Sequence, residues 1–483
     1  MNAPEPLDEQ GRLSAMLAAQ RAAFVRAGAP TLQQRQADLL KLKHAVIARR
    51  AQLEAALHAD FGGRSPYETT LMELVPIAQA INYQRRHLRR WMRPERRHVG
   101  LTFKPGRAHV QYQPLGVVGI ISPWNFPVSL ALMPLATAIA AGNRAMLKPS
   151  EYTPATSEAL AMLIRESFDE AQVAVVTGGP EVGAAFAALP FDHLVFTGST
   201  RIGRAVMKAA SENLVPVTLE LGGKSPAIVS RGYPIERAAR DIAFGNLANG
   251  GQICITPDYA LVHDRELEAF VAAYGEAVRR YYPAGAASSG YSSIINARHY
   301  ARLQGLLEDA RAKGARIVEI EPHAGAAVGG GGGTAAPLPP NALPPMVVLD
   351  VRDDMALMHE EIFGPVLPVV PYRTIEEAIA YVNARPRPLA LYFFGDGQDR
   401  REVLQRTTSG NVTINDTLLH FMQEDLPFGG VGPSGMGAYH GIEGFKALSH
   451  AKGVFEQSRW NFTSLVRPPY GAIADLVIRF LLR

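Results

Sequence analysis

From about residue 8 to 98 apolar residues recur at helical spacing with few strand signals, so the chain is expected to open with helices. The pattern then changes. Leu115 to Ser122 (LGVVGIIS) is an unbroken apolar run rich in Val and Ile, as expected of a strand buried on both faces. An apolar helix pattern from Val128 to Ala141 stops at Gly142-Asn143, and Ala145 to Leu147 reads as the next strand. Thr153-Pro154 suits the N-cap and first turn of a helix to about Phe168. Strands at Val173–Val176, His193–Phe196 and Val215–Leu221 then alternate with helices at Val182–Leu189 and Arg201–Asn213.

Such alternation is the sequence form of a parallel sheet with helices on both faces. A second series starts near Ser225, with a helix over Glu266–Arg280 and strands at Val347–Leu349, Leu367–Val370 and Leu389–Phe394. Thr374 and Glu377 have the spacing of a capping box for the helix that follows. Two α/β units in succession are the simplest reading. Residues 324–345, with five consecutive glycines and many prolines, cannot pack a core and read as a flexible surface loop. No internal repeat is apparent.

Composition adds exclusions. A chain of 483 residues exceeds one ordinary core, which implies at least two domains. A net charge of +4 is too small for this size to indicate a nucleic-acid binder. The local run Arg85, Arg86, Arg89, Arg90, Arg93, Arg96 and Arg97 reads as a solvated or subunit-facing surface. One cysteine permits no intrachain disulfide, and no His/Cys cluster has metal-ligand spacing. The N-terminus resembles neither a signal nor a transit peptide, and no stretch of roughly 18 uncharged apolar residues spans a bilayer, so a cytoplasmic location is expected. The apolar tail Ile473–Leu482 carries Asp475 and Arg479 and suits packing on a partner subunit or, second, contact with a membrane interface.

Several segments carry candidate chemistry. Gly198 and Gly203, five residues apart, do not make the GxGxxG fingerprint, and Thr218 stands where a P-loop ending in Gly223-Lys224-Ser225 needs its first glycine. A strand-to-helix turn at Gly198 either is simply tight or presents free N–H groups to a pyrophosphate. Cys254 lies in Asn249-Gly-Gly-Gln-Ile-Cys254. A lone cysteine is commonly a small buried hydrophobe, but preceding glycines suit close approach of a ligand, and a thiolate is a strong nucleophile. Glu220 ends an apolar strand, where a carboxylate points into the ligand crevice of a parallel sheet; it is either a base with a raised pKa or a salt-bridged structural residue. Asn125, in Pro123-Trp-Asn-Phe-Pro127, offers an amide to an oxyanion or holds a turn.

Taken together and in order, SPWNFP (Ser122–Pro127), KPSE (Lys148–Glu151), FTGSTRIG (Phe196–Gly203), ELGGKSP (Glu220–Pro226), GQIC (Gly251–Cys254), EEIFGP (Glu360–Pro365) and PFGG (Pro427–Gly430) resemble the aldehyde dehydrogenase superfamily across nearly the whole chain. The early first motif resembles the class 3 branch. TINDTLLH (Thr413–His420), GPSGMGAYHG (Gly432–Gly441) and the RPPYG tail at Arg467–Gly471 are similar to bacterial coniferyl aldehyde dehydrogenases.

The resemblance implies an α/β fold: a Rossmann-like NAD-binding domain within residues 1–221, a second α/β catalytic domain over 222–425, and an oligomerisation segment over 426–483 with a strand at 108–115. It implies Cys254 as nucleophile, Glu220 as general base and Asn125 as half of an oxyanion hole. It implies cofactor contacts from Trp124, Lys148, Glu151, Phe196, Gly198, Ser199, Thr200, Ile202, Gly203, Leu221, Glu361 and Phe363. NAD is the expected cofactor because Glu151 would repel a 2′-phosphate, with NADP remaining open. The expected activity is oxidation of an aldehyde, aromatic and coniferyl-type first and medium- or long-chain aliphatic second, by a homodimer. A CoA-acylating relative and a non-catalytic nucleotide-binding descendant are the alternatives. Ile253, where a polar residue is common, is the main departure at the site.

Overall fold

The computed structural model describes residues 8–323, 338–463 and 467–482. Two parallel sheets dominate, as the alternating pattern requires. The first has six strands in the order 435–436, 217–220, 193–197, 117–121, 144–148 and 173–175; all are parallel except the short antiparallel edge strand Gly435–Met436. The second has seven strands in the order 316–319, 346–349, 366–372, 259–263, 226–229, 390–394 and 411–414, with only Arg316–Glu319 antiparallel. The strands read from the sequence all occur, with ends shifted by one or two residues. Tyr259–His263 and Asn411–Ile414 escaped notice because they follow irregular loops instead of a clear helix-to-strand change of period.

A third sheet is antiparallel and has Arg107–Pro114 at its centre, flanked by Glu95–Arg97 and Ser449–Glu456. The segment expected to serve as an oligomerisation strand thus has both of its hydrogen-bonding edges taken within the chain. Among the described residues no strand pairs with the outer edge of Ser449–Glu456.

The N-terminal region is helical as expected: Glu9–Ala27, Leu32–Ala48, Arg50–Phe61 and a composite run from Pro66 to Trp91. That run contains a π-helical turn at Thr70–Leu74, where the hydrogen bonds reach one residue further than in an α-helix. Except for Arg85, which is half-buried, the arginines of the basic run are solvent-exposed.

Two capping expectations are corrected. Helix Pro154–Ser167 starts where Thr153-Pro154 placed it, but the Thr153 hydroxyl makes no cap hydrogen bond. Instead Asp60, from the second half of helix Arg50–Phe61, accepts the Ala155 N–H at 3.0 Å, the Thr156 N–H at 2.8 Å and the Thr156 hydroxyl at 2.7 Å. A carboxylate near a helix N-terminus satisfies orphan donors and complements the dipole, so the tertiary contact displaces the local one. At Ile375–Asn383, Thr374 does accept the Glu377 N–H, but the Glu377 carboxylate accepts from Arg373 N–H, one residue outside the expected box.

Of the Gly/Pro-rich loop, residues 324–337 lie outside the described residues. Its end is not on the surface: Ala342 and Leu343 are buried, and Leu343 C=O accepts the Tyr291 hydroxyl at 2.7 Å. The tail forms helix Ala472–Leu481, whose Ile473, Leu476, Ile478 and Phe480 are exposed in the single chain. Among the described residues no helix is long and apolar enough to cross a membrane.

Removing the Asp60 carboxylate should lower stability by roughly 1–2 kcal/mol, the usual cost of losing a helix cap. The midpoint of urea unfolding for Asp60→Ala, with Asp60→Asn losing less, checks this assignment.

Candidate active site

The only cysteine follows a turn that few residues other than glycine could make. Helix Ile235–Leu247 runs into Ala248–Gly251, where Asn249 (φ 51°) and the glycines at 250 and 251 adopt left-handed backbone. Asparagine tolerates this conformation better than most residues. At Gly251 a Cβ would overlap the Gly364 carbonyl, so the close approach excludes any side chain. Gln252 then locks the loop: its Nε2 donates to Asn249 C=O at 2.8 Å and Ser293 C=O at 3.0 Å, and its Oε1 accepts the Ile295 N–H at 2.9 Å. Ile253 and Ile255 are buried, and between them the half-buried Cys254 opens into a cavity of about 610 Å³.

Asn125 and Glu220 line the same cavity. Asn125 leaves the carboxyl end of strand Val117–Ile121 and is held by a 3.1 Å hydrogen bond from its Nδ2 to Gln252 C=O. An amide nitrogen carries two hydrogens, so the second stays available beside Cys254. Glu220 ends strand Val217–Glu220, is 2% exposed, and neither carboxylate oxygen has a hydrogen-bond partner among the described residues. Burial without a partner raises its pKa well above the ordinary carboxylate range. The salt-bridged alternative for Glu220 is therefore excluded among the described residues.

Cys254 itself is pushed up strongly, first by burial and then by the charges of Glu361 and Glu220; the amides of Cys254 and Ile255 act in the opposite direction. Desolvation and the two carboxylates outweigh these amide donors. Across the cleft, burial and then Asp258 raise Glu361 to about 8. Gly222 admits this carboxylate, since a Cβ there would overlap it.

Of the expected cofactor contacts, Trp124, Gly198, Ser199, Thr200, Glu361 and Phe363 line the cavity. Ser199 caps helix Thr200–Ser211, whose N-terminus faces this space. Phe363 has φ 53°, unusual for a bulky residue, and meets Trp124 edge to face at 5.3 Å. Phe196, Leu221, Lys148, Glu151, Ile202 and Gly203 are not part of the cavity wall. Phe196 and Leu221 are buried under the turn, where a Cβ on Gly203 would collide with Leu221. Ile202 is exposed, and Lys148 pairs with Glu151 at 3.1 Å.

Sequence reasoning missed Arg302 and His299. Arg302 donates to Glu361 C=O at 3.1 Å and also to Ile362 C=O, fixing the Glu361–Phe363 loop. His299 packs on Trp124 at 4.9 Å, and burial first, then the nearby arginines, lowers it to about 4, so it is neutral. Both sit on helix Ala297–Ala312, in an ordinary amphipathic pattern that carries no signal of a site.

Comparison with known proteins agrees with this geometry. The chain is 50% identical over 477 residues, covering 98% of itself and 97% of the other, to a Pseudomonas aeruginosa protein described as "Probable coniferyl aldehyde dehydrogenase". It is similar in structure to substrate-bound Staphylococcus aureus AldH, with a TM-score of 0.88 and 35% identity over all of both chains. A Mycobacterium tuberculosis aldehyde dehydrogenase complexed with NAD+ matches at a TM-score of 0.82 and 30% identity, covering 95% of this chain and 92% of that one. The profile of the Aldehyde dehydrogenase family spans residues 6–454. With its sole thiol facing two desolvated carboxylates across one cleft, and with these likenesses along its length, the chain belongs to the aldehyde dehydrogenase family.

Proposed function

We propose that this enzyme oxidises an aromatic, coniferyl-type aldehyde to its carboxylic acid with NAD+, through an acyl-enzyme on Cys254. The observation that carries this reading is the opening of the one thiol, the unpartnered Glu220 carboxylate and the Asn125 amide into a single cavity. The coniferyl preference rests on the 50% identity to the Pseudomonas aeruginosa protein described as a probable coniferyl aldehyde dehydrogenase.

The cleft fits a nicotinamide dinucleotide. Thr197 Oγ1 and Glu361 Oε1 are buried without hydrogen-bond partners among the described residues and both belong to cavity-lining residues, as ligand-binding groups awaiting partners would. The N-terminus of helix Thr200–Ser211 would hold the pyrophosphate, Glu361 the nicotinamide ribose, and Phe363 the ring. The Lys148–Glu151 pair would take the adenosine ribose, and the negative charge on Glu151 favours NAD over NADP. Bound, the nicotinamide supplies the hydride acceptor.

The chain's own residues account for the rest. Glu220 takes the thiol proton, and the sulfur adds to the aldehyde carbon while the carbonyl π pair moves onto oxygen. The Asn125 amide and the Cys254 N–H stabilise that oxygen. Its electron pair then re-forms the C=O bond as the C–H bond breaks and hydride leaves, giving a thioester on Cys254. Glu220, having released its first proton to solvent, takes a proton from water. The resulting hydroxide oxygen attacks the thioester, the C–S bond breaks, and the acid departs. Covalent catalysis thus replaces one hard oxidation by two easier steps. The active form is proposed to be a homodimer, with the edge of Ser449–Glu456 that no strand among the described residues pairs as the contact.

Glu220→Gln should form at most about one equivalent of reduced cofactor per site, more slowly than wild type because the thiol loses its base, and then stall as an acyl-enzyme, read by stopped-flow absorbance and intact mass. Continued turnover would remove Glu220 from this role, and CoA-dependent turnover would identify an acylating enzyme.

Because the Glu220 pKa is raised, its basic form grows as pH rises. Deacylation should therefore increase about tenfold per pH unit while Glu220 is still largely protonated, then level off. A single-turnover pH profile tests the sign; Glu220→Gln should show no deacylation on the wild-type timescale at any point of the rise.

Values of kcat/KM for coniferaldehyde, benzaldehyde and an aliphatic series, each with NAD+ and NADP+, test substrate and cofactor. Coniferaldehyde with NAD+ should rank first, and an aliphatic aldehyde in first place would overturn the aromatic assignment.

A further inference from the structure

Helix Ser129–Ala141 begins four residues after Asn125, and every one of its residues is buried. It has no side-chain cap of its own, so its first N–H groups need a partner brought from elsewhere. Glu73 supplies it. From the π-helical turn Thr70–Leu74, Glu73 Oε2 accepts the Val128 N–H at 2.8 Å and the Ser129 N–H at 2.9 Å.

The other carboxylate oxygen of Glu73 lies 3.1 Å from Arg64 Nη1, and both side chains are fully buried. The same Nη1 donates to Asn125 C=O at 3.0 Å. The guanidinium sits between the rings of Phe61 and Phe126, at 4.8 and 4.9 Å from their centroids. The Asn125 loop is consequently gripped at both ends by one ion pair from the N-terminal helices.

This grip extends to the cysteine loop. Asn249 Nδ2 donates to the same Asn125 carbonyl at 3.2 Å, and Asn249 N–H is itself held by Glu68 Oε1 at 3.0 Å. The Asn125 carbonyl is therefore the junction at which Arg64 and the Cys254 loop meet. A wholly buried ion pair is a costly way to fill space, because desolvating two charges offsets much of their attraction, and apolar residues of similar volume often stabilise as well. Here the pair joins the Asn125 carbonyl and the first N–H groups of helix Ser129–Ala141 to the N-terminal helices.

We propose that Arg64, backed by Glu73, is a positioning residue that sets the Asn125 amide against Cys254. This inference rests on the oxyanion role given to Asn125 above. A lysine at 64 lacks the planar guanidinium that lies between Phe61 and Phe126, so its single nitrogen would not be held at the Nη1 position that meets both Glu73 and Asn125. Displacing a catalytic group by about 1 Å can cost ~10²-fold in rate.

The test is a double-mutant cycle on the first-turnover rate of reduced-cofactor formation, with Arg64→Lys and Asn125→Ala alone and together. Arg64→Lys should slow that step about 10- to 100-fold with KM for NAD+ and the unfolding midpoint close to wild type. In the Asn125→Ala background the same change should cost less than about threefold, because the group it positions is gone. An equal loss in both backgrounds, with Asn125→Ala itself impaired, would overturn the positioning role and leave the oxyanion assignment intact. Near-wild-type acylation by Asn125→Ala would instead overturn that assignment. If Arg64→Lys does not fold, Glu73→Gln takes its place, keeping an oxygen for the two N–H groups while removing the charge from Arg64. Failure of both to fold would make the pair a purely structural element and sink the proposal.

Discussion

The structure depends on keeping a carboxylate out of water without giving it a partner. Glu220 stands on the last residue of its strand, 2% exposed and unpaired among the described residues, beside a sulfur that is itself desolvated. An isolated buried charge is among the most expensive features a protein can carry. Here the cost appears as a raised pKa instead of lost stability, because the group can hold a proton. A carboxylate with a raised pKa is a stronger base than an ordinary solvent-exposed one, which is what the role proposed for it requires.

Keeping the cleft in shape requires the surrounding frame to be rigid. The strand ends of the first sheet deliver Asn125 and Glu220, while the cysteine loop and the Glu361–Phe363 loop belong to the second sheet's half of the chain. Gln252 ties the cysteine loop to Asn125 on one side and to the Ser293–Ile295 segment on the other. Arg302 does the same for the Glu361–Phe363 loop. The side chains of Gln252 and Arg302 bind backbone groups, whereas the tie to Asn125 runs from its side-chain amide to the Gln252 carbonyl and leaves that amide its second hydrogen. Glycines at 222 and 251 are the complementary device, allowing two segments to approach where a Cβ could not fit.

The helices before the first sheet serve the site more directly than their sequence suggests. Asp60 caps helix Pro154–Ser167, Glu73 caps Ser129–Ala141, and Arg64 and Glu68 reach the loops that carry Asn125 and Cys254. A π-helical turn shifts the following residues around the helix axis, and such turns are frequent at functional sites. Glu73 lies within that turn.

Periodicity alone determined the alternation of strands and helices, hence two successive parallel sheets, because burial on both faces demands unbroken apolar runs and each crossover demands a helix. Family motifs pointed to Cys254, Glu220 and Asn125, which do share one cavity. The tertiary structure decided matters that no local pattern encodes. Which carboxylate caps which helix was one: Thr153 had the local signature, yet Asp60, 95 residues earlier in the contact to Ala155, makes the bonds. The centre of the antiparallel sheet was another, since Arg107–Pro114 pairs on both edges with segments far apart in sequence. The partnerless state of Glu220 and the buried Arg64–Glu73 pair belong here too. Hydrogen bonds and desolvation are properties of what surrounds a group in space, and for these residues nearly all of that surrounding comes from remote parts of the chain.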